Sequence, residues 1–311
     1  MSAFENIRML LGEPNVQVRR TIADTLRQQG YHSIRDTAQF DVIDEAVREN
    51  QVDVLICDVE LGGRDLCEMI YQVRHHYIGN NPFMVTIALT DNPTTDVIRR
   101  IINSGADDLL LKPVSVGQIL DRLKILTHNR KGFVVTTDYI GPDRRKNGAR
   151  PGSQEIPILD VPNPLNFQAA NGDATAALEM QAAITEAAQL INTQKMERHA
   201  YQIQYLVDKI VPSYSIGDIG QDLFTLVARL VFVSEDLVRR MTGTKFEHVR
   251  ELGETMIRLA TTIRQQQDGP DMKNVHLLPQ LAAAIKQAFS DDEHTAAVAR
   301  DISQSIGQRS N

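Results

Sequence analysis

Cysteines, long apolar runs and excess basic charge are all scarce in this chain of 311 residues. Only Cys57 and Cys67 occur, without metal-ligand spacing, which makes a reducing cytoplasm the expected compartment. Cys57, inside an apolar run, reads as a small core residue. The longest apolar stretch of the second half, Leu223 to Val233, is short and interrupted by Arg229, whereas a bilayer needs about 20 apolar residues. No secretory signal is read ahead of the first apolar run, so we expect a soluble cytoplasmic chain. The net charge of -7 argues against a partner that is mainly nucleic acid. The second half carries no phosphate-binding glycine loop, no zinc pair on a helix and no cyclic-dinucleotide signature.

The hydrophobic share of 42% is enough for a real core, and the length predicts about two domains. From Ile7, short apolar runs alternate with amphipathic stretches. Ile7 to Leu11 reads as a strand and Val16 to Gln29 as a helix closed by Gly30. Val42, Ile43, Ala46 and Val47 line one face of the next helix. Further helices are predicted at Asp65 to His75, Thr95 to Ser104 and Val116 to Thr127. This alternation predicts a doubly wound, five-stranded parallel sheet with helices on both faces.

Three of the runs end on polar side chains. Val52 to Asp58 closes on a carboxylate, Phe83 to Leu89 stops at Thr90, and Leu109 to Leu111 stops at Lys112-Pro113. Ligands of open α/β sheets gather outside the carboxyl ends of the strands. A nucleophilic carboxylate, a hydroxyl and an ammonium are therefore predicted to meet at one edge. Taken alone, Lys112 would read as a surface lysine and Thr90 as a helix cap; with Asp58 the functional reading prevails.

Asp58, Thr90 and Lys112-Pro113 in that order, with Gly105-Ala106 before the last strand, resemble the flavodoxin-like receiver domain of two-component response regulators. The likeness covers roughly residues 5 to 128. It implies a phosphoacceptor at Asp58, a phosphoryl-oxygen contact from Lys112, a hydrogen bond from Thr90 and a cis bond before Pro113. It also implies Mg2+ held by Glu13, Asp58 and the backbone carbonyl of Glu60. The donor would be a histidine kinase or a phosphotransfer protein. A carboxylate attacking a phosphoryl group needs such a cation because both partners are anionic.

Two departures stand out. Gly12-Glu13-Pro14 offers one acid where the family usually has two, so magnesium binding should be weak unless Asp91 compensates. Leu109 stands where receivers often carry an aromatic residue, so the usual Thr-aromatic switch is absent or altered. The surface of Asp96 to Ser104, the last strand and Val116 to Thr127 is the expected phosphorylation-sensitive face.

We divide the chain into a receiver at 1–130, a linker at 131–170 and an α-helical output or dimerisation domain at 171–311. Gly and Pro residues crowd the linker, which holds one apolar segment, Phe133 to Val135. Its cluster Asp143-Arg144-Arg145-Lys146 reads as a solvated charge run, with docking on an acidic surface as the second reading. In the helical part, Leu178, Ala182, Ile184, Ala187 and Ile191 begin a helix that Pro212 is expected to end. Leu223 to Val231 and Val249 to Ile263 mark two more, and two shorter helices follow, the last capped by Ser290 and Glu293. An antiparallel bundle follows from such stripes.

His199 and His248 invite a phosphotransfer reading, but neither lies in the setting that such domains favour. His75 and His76 read as surface residues. We expect no enzyme, no membrane span and no DNA reader. The expected function is a phosphorelay response regulator that signals through a helical protein-interaction or self-association domain. Two alternatives stay open: a pseudo-receiver scaffold, which Gly12-Glu13-Pro14 favours, and a relay passing phosphate from Asp58 to a bundle histidine.

Overall fold

The computed structural model describes residues 4–145, 156–170 and 174–289. The chain divides into two compact units, Met1–Leu190 and Ile191–Asn311. In the first, strands β1 (Met9–Gly12), β2 (Ile34–Thr37) and β3 (Val54–Asp58) alternate with α1 (Val16–Gln28) and α2 (Phe40–Arg48). A small hairpin, β4 (Glu60–Leu61) and β5 (Arg64–Asp65), leads into α3 (Leu66–Arg74). Then come β6 (Val85–Thr90), α4 (Thr95–Ser104), β7 (Asp108–Leu111) and α5 (Val116–Asn129). The five long strands form one parallel sheet in the order β2-β1-β3-β6-β7.

Strand side chains alternate between two apolar layers, as the pleat requires. Met9, Leu11, Val54, Ile56, Ile87 and Leu89 pack with Ile22 and Leu26 of α1 and Ile119 and Leu123 of α5. Leu10, Leu55, Cys57 and Ala88 pack on the other side with Ile43 and Val47 of α2, Ile70 of α3 and Ile101 of α4. Both faces are covered, which is why the central strands read as continuous apolar runs. The exception is β2, an edge strand carrying Arg35 and Asp36. Val42 differs from expectation: it is exposed, because the buried stripe of α2 is Phe40, Ile43, Ala46 and Val47.

Residues expected to be linker contain a second hairpin, β8 (Phe133–Val135) with β9 (Ile140–Pro142). Its apolar residues Phe133, Val135 and Ile140 are fully buried, and Phe133 bridges to Leu159. Leu165, in the short helix α6 (Pro164–Ala170), joins the α1/α5 layer. Gly132 and Gly141 serve close backbone approaches, to Leu159 and Gly105, rather than a free tether. Arg144 donates to the Ala106 carbonyl and Arg145 pairs with Asp143 at 2.8 Å, so these arginines are not a solvated charge run.

Helix α7 runs Ala174–Ile216, past Pro212. Pro212 is exposed, so the hydrogen bond it cannot make falls on the solvent side. The helix stops at Gly217, whose φ of 73° reverses the chain. Within α7, Leu178 and Ala182 are exposed, whereas Ile184 and Ile191 are buried.

The second unit is built from α7 after Ile191 together with α8 (Gln221–Met241), a 3₁₀ turn at Glu247–Val249, α9 (Arg250–Gln265) and α10 (Met272–Ala288). Its core joins Ile203, Val207 and Ile210 to Leu230, Leu237, Met256, Ile263, Leu278 and Ile285. Helices α8 and α9 meet closely at Gly253, where a Cβ would lie 2.5 Å from Val238 Cγ2. The helix expected from Ser290 lies outside the described residues.

Candidate functional site

β3 ends at Asp58, and its neighbour β6 ends at Thr90, which pairs with Leu111 at the end of β7. Parallel register therefore brings the three expected residues to one sheet edge. Lys112 follows β7, and its amide donates to the Thr90 carbonyl at 2.8 Å. The Lys112-Pro113 peptide is cis.

Lys112 Nζ contacts Asp58 Oδ2 and also lies 2.7 Å from Glu13 Oε2. The Glu13 side chain, at the end of β1, is 2% exposed, while that of Asp58 is 13% exposed and open to a reactant. Burial works against the Lys112 charge, but hydrogen bonds to Asp58 and Glu13 outweigh it and raise its pKa. The ammonium is thus held charged between two carboxylates. Glu60 N–H donates to Asp58 Oδ1 at 2.9 Å, and Asn15 N–H donates to Glu13 Oε1 at 2.9 Å. Thr90 is buried, and its hydroxyl oxygen accepts from Asn92 N–H at 3.1 Å. Cys57, immediately before Asp58, is buried with its thiol pKa pushed up by desolvation, so it is no competing nucleophile.

The donors suit a hard cation: two carboxylates converge on one ammonium, each with its second oxygen fixed by a backbone amide. Pro14 adds no ligand, and Asp91 is exposed. Among the described residues no group of three or more His, Cys, Asp or Glu side chains gathers as a metal site. The residues fit Mg2+ with few protein charges.

Other residues were missed by sequence reasoning. Arg74 and Asp107 are fully buried and paired at 2.9 Å, and Arg130 pairs with Asp107 at 2.9 Å. Arg74 also donates to the carbonyls of Gly105, Pro82 and Met84. The signal was present: Arg74 falls on the Cys67-Ile70 face of α3, a core position. His75 is buried too, stacked on Tyr71 with centroids 3.9 Å apart, contrary to the surface reading.

In the second unit His199 is fully buried, with Nε2 2.7 Å from Asp236 Oδ2. Arg240 Nε donates to the same carboxylate at 2.8 Å, and Arg240 also donates to Asn192 Oδ1 at 3.1 Å. Desolvation lowers the His199 pKa. Closed in this way, His199 offers no ring nitrogen to an arriving phosphoryl group, which removes it as a relay residue. His248 is exposed, its Nδ1 2.8 Å from the Lys245 carbonyl.

Comparison with known proteins agrees with this geometry. Residues 10–124 match the response regulator receiver domain model. That part of the chain is a receiver domain; no family model covers the helical region. The transcriptional regulatory protein PdtaR of Mycobacterium tuberculosis is 24% identical over 118 residues, covering 38% of this chain and 55% of that protein. A cyclic di-GMP phosphodiesterase of Thermotoga maritima is 27% identical over 141 residues, 44% of this chain and 36% of that one. Among solved structures, the chemotaxis protein CheY4 of Vibrio cholerae aligns at 20% identity and TM-score 0.34, over 38% of this chain and 96% of its own. The chain thus spans only about half, or less, of the length of these curated relatives. Receiver domains serve two-component signalling, typically bind Mg2+, exchange phosphoryl groups with histidine kinases or phosphotransfer proteins, and are generally not enzymes. No helix among the described residues is long and apolar enough to cross a membrane.

Proposed function

We propose that this protein is a cytoplasmic response regulator phosphorylated on Asp58 by a histidine kinase or phosphotransfer protein. The observation that carries the reading is the convergence of Glu13 and Asp58 on Lys112 at the ends of β1, β3 and β7. An Asp58 carboxylate oxygen attacks phosphorus. The new P–O bond forms as the donor's bond to phosphorus breaks, and the leaving group departs with the electron pair. Lys112 transfers its contact to a phosphoryl oxygen, and the Thr90 hydroxyl donates to another. Glu13, Asp58 and the Glu60 carbonyl would hold Mg2+, which would supply charge neutralisation.

The receiver at 1–130 and the helical part at 171–311 carry separate tasks, and the segment between them is a docked connector. The helical part binds a protein or a second copy of this chain. Among its described residues no group of His, Cys, Asp and Glu side chains gathers as a metal site, and the phosphodiesterase relative matches over only 36% of its own length. A scaffold without phosphorylation is the second reading, favoured by Pro14 beside the lone Glu13. Acetyl phosphate with Mg2+, read by intact mass on the native chain and on Asp58→Ala, separates the two. One phosphoryl group on the native chain and none on the variant supports phosphorylation; no gain on either supports the scaffold.

A further inference from the structure

We propose that the β8–β9 hairpin carries the phosphorylation signal out of the receiver, driven from Asp58 through α4 and β7. This rests on the reading of Asp58 as phosphoacceptor. Each element reaches the surroundings of Asp58 at one part; at the other, Gly105 after α4 meets the hairpin, and Ala106-Asp107 before β7 meets Arg144 and Arg130, which flank the hairpin. On α4, Arg100 reaches Glu60 and Asp65, each at 3.5 Å, in the loop that follows Asp58. At the other end of that helix Gly105, with φ 89°, lies against the hairpin backbone. A Cβ on Gly105 would stand 2.5 Å from the Ile140 carbonyl oxygen, and one on Gly141 would stand 2.8 Å from Gly105 Cα. Such backbone-to-backbone packing leaves no slack, so a displacement of the α4 end must move β9.

β7 makes the same connection along the sheet. Lys112 follows its carboxyl end and contacts Asp58. Its amino end follows Asp107, which pairs with Arg130 at 2.9 Å, while Arg144 donates to the adjacent Ala106 carbonyl. At four residues β7 spans only about 13 Å, and as an edge strand it is hydrogen-bonded on one side only. Phosphorylation converts the Asp58 carboxylate into a mixed carboxylic–phosphoric anhydride and places a dianionic group beyond it, so Lys112 must change partner. A short strand tethered at one edge can follow that change, whereas the central strands are locked on both sides. Leu109 within β7 has no ring to reorient, which leaves displacement of the strand and of α4 as the available response.

Beyond the hairpin the path continues through contacts with residues 159–163. Phe133 pairs with Leu159, Arg130 donates to the Pro162 carbonyl at 2.9 Å, and Asn163 donates to the Leu126 carbonyl at 2.8 Å. Residues 156–163 lead directly into α6. The hairpin is therefore placed to convert a shift at the edge of the sheet into a shift of the chain that leaves the receiver.

Hydrogen-exchange mass spectrometry on the full chain, with and without acetyl phosphate and Mg2+, tests this. Phosphorylation should change exchange in residues 95–111 and also in 133–142 and 156–170. Gly141→Ala and Arg144→Ala should take up phosphate on Asp58 as the native chain does, yet lose the response beyond residue 130. Arg144→Ala adds no bulk and serves if Gly141→Ala does not fold. A fully phosphorylated native chain with an unchanged hairpin overturns the transmission route alone, as does a response retained in both variants. Absence of any mass gain removes the phosphoacceptor reading and this proposal with it.

Discussion

Replacing Asp107 with Ala should destabilise the receiver more than any exposed charge substitution. The carboxylate is buried between Arg74 and Arg130, at 2.9 Å from each, and also accepts from Thr86 N–H at 2.9 Å. Without it two buried guanidiniums lose their counter-charge and an amide loses its acceptor. Removing one partner of a buried pair costs about 3–5 kcal/mol, and the stranded amide pushes toward the upper end. For a unit of this size each kcal/mol moves the midpoint by about 2–4 °C, so Tm should fall by roughly 6–20 °C. Burial opposes ionisation of Asp107, but Arg130 and Arg74 outweigh it and hold its pKa below the ordinary 3.8. The native stabilisation is therefore present above that value and is lost as pH falls through it toward the folded pKa. Differential scanning calorimetry at neutral and acid pH reads both effects. Asp44→Ala, which breaks an exposed pair with Arg48, should leave the midpoint almost unchanged. If the two variants melt alike, the buried network does not hold the hairpin edge together.

Three further outcomes follow from the same geometry. Pro14→Asp adds a carboxylate beside Glu13 and should tighten Mg2+ binding severalfold by calorimetric titration; unchanged affinity would mean that position 14 lies out of reach. The second unit should lose stability as pH falls below about 6.5, because desolvation holds the His199 pKa under its unfolded value and the unfolded chain binds the extra proton. A flat unfolding profile from pH 7 to 5 would contradict this. Light scattering on the full chain should report a dimer or capture of a protein partner through the helical part, and a monomer that binds duplex DNA with steep salt dependence would argue for a DNA reader instead.

The receiver sheet was legible because its central strands β3 and β6 are buried on both faces and so write uninterrupted apolar runs that end on Asp58 and Thr90; the short Leu109 to Leu111 run of the edge strand β7 stops at Lys112. β2 carries Arg35 and Asp36 at an edge and left no such run. The hairpin at 133–142 was hidden because Gly141-Pro142 resembles the punctuation of a tether, although Gly141 serves close backbone contact with Gly105. Arg74, Asp236 and Arg240 were passed over, and His199 was weighed only as a phosphotransfer candidate, because ionisable residues are expected outside, yet each is buried. Their pairing becomes visible only when α3 meets β7, or α7 meets α8. Pro212 shows the converse: an exposed proline near a helix end removes one bond and does not end the helix.

The central claim is that Asp58 forms an acyl phosphate. Borohydride reduces such a mixed anhydride to homoserine at the modified residue, so peptide mapping after acetyl phosphate, Mg2+ and borohydride locates it directly. The account predicts homoserine at position 58, none at Asp53, Asp65 or Asp91, and none anywhere in Asp58→Asn. Unmodified peptide at position 58, or the same product in that variant, would contradict it.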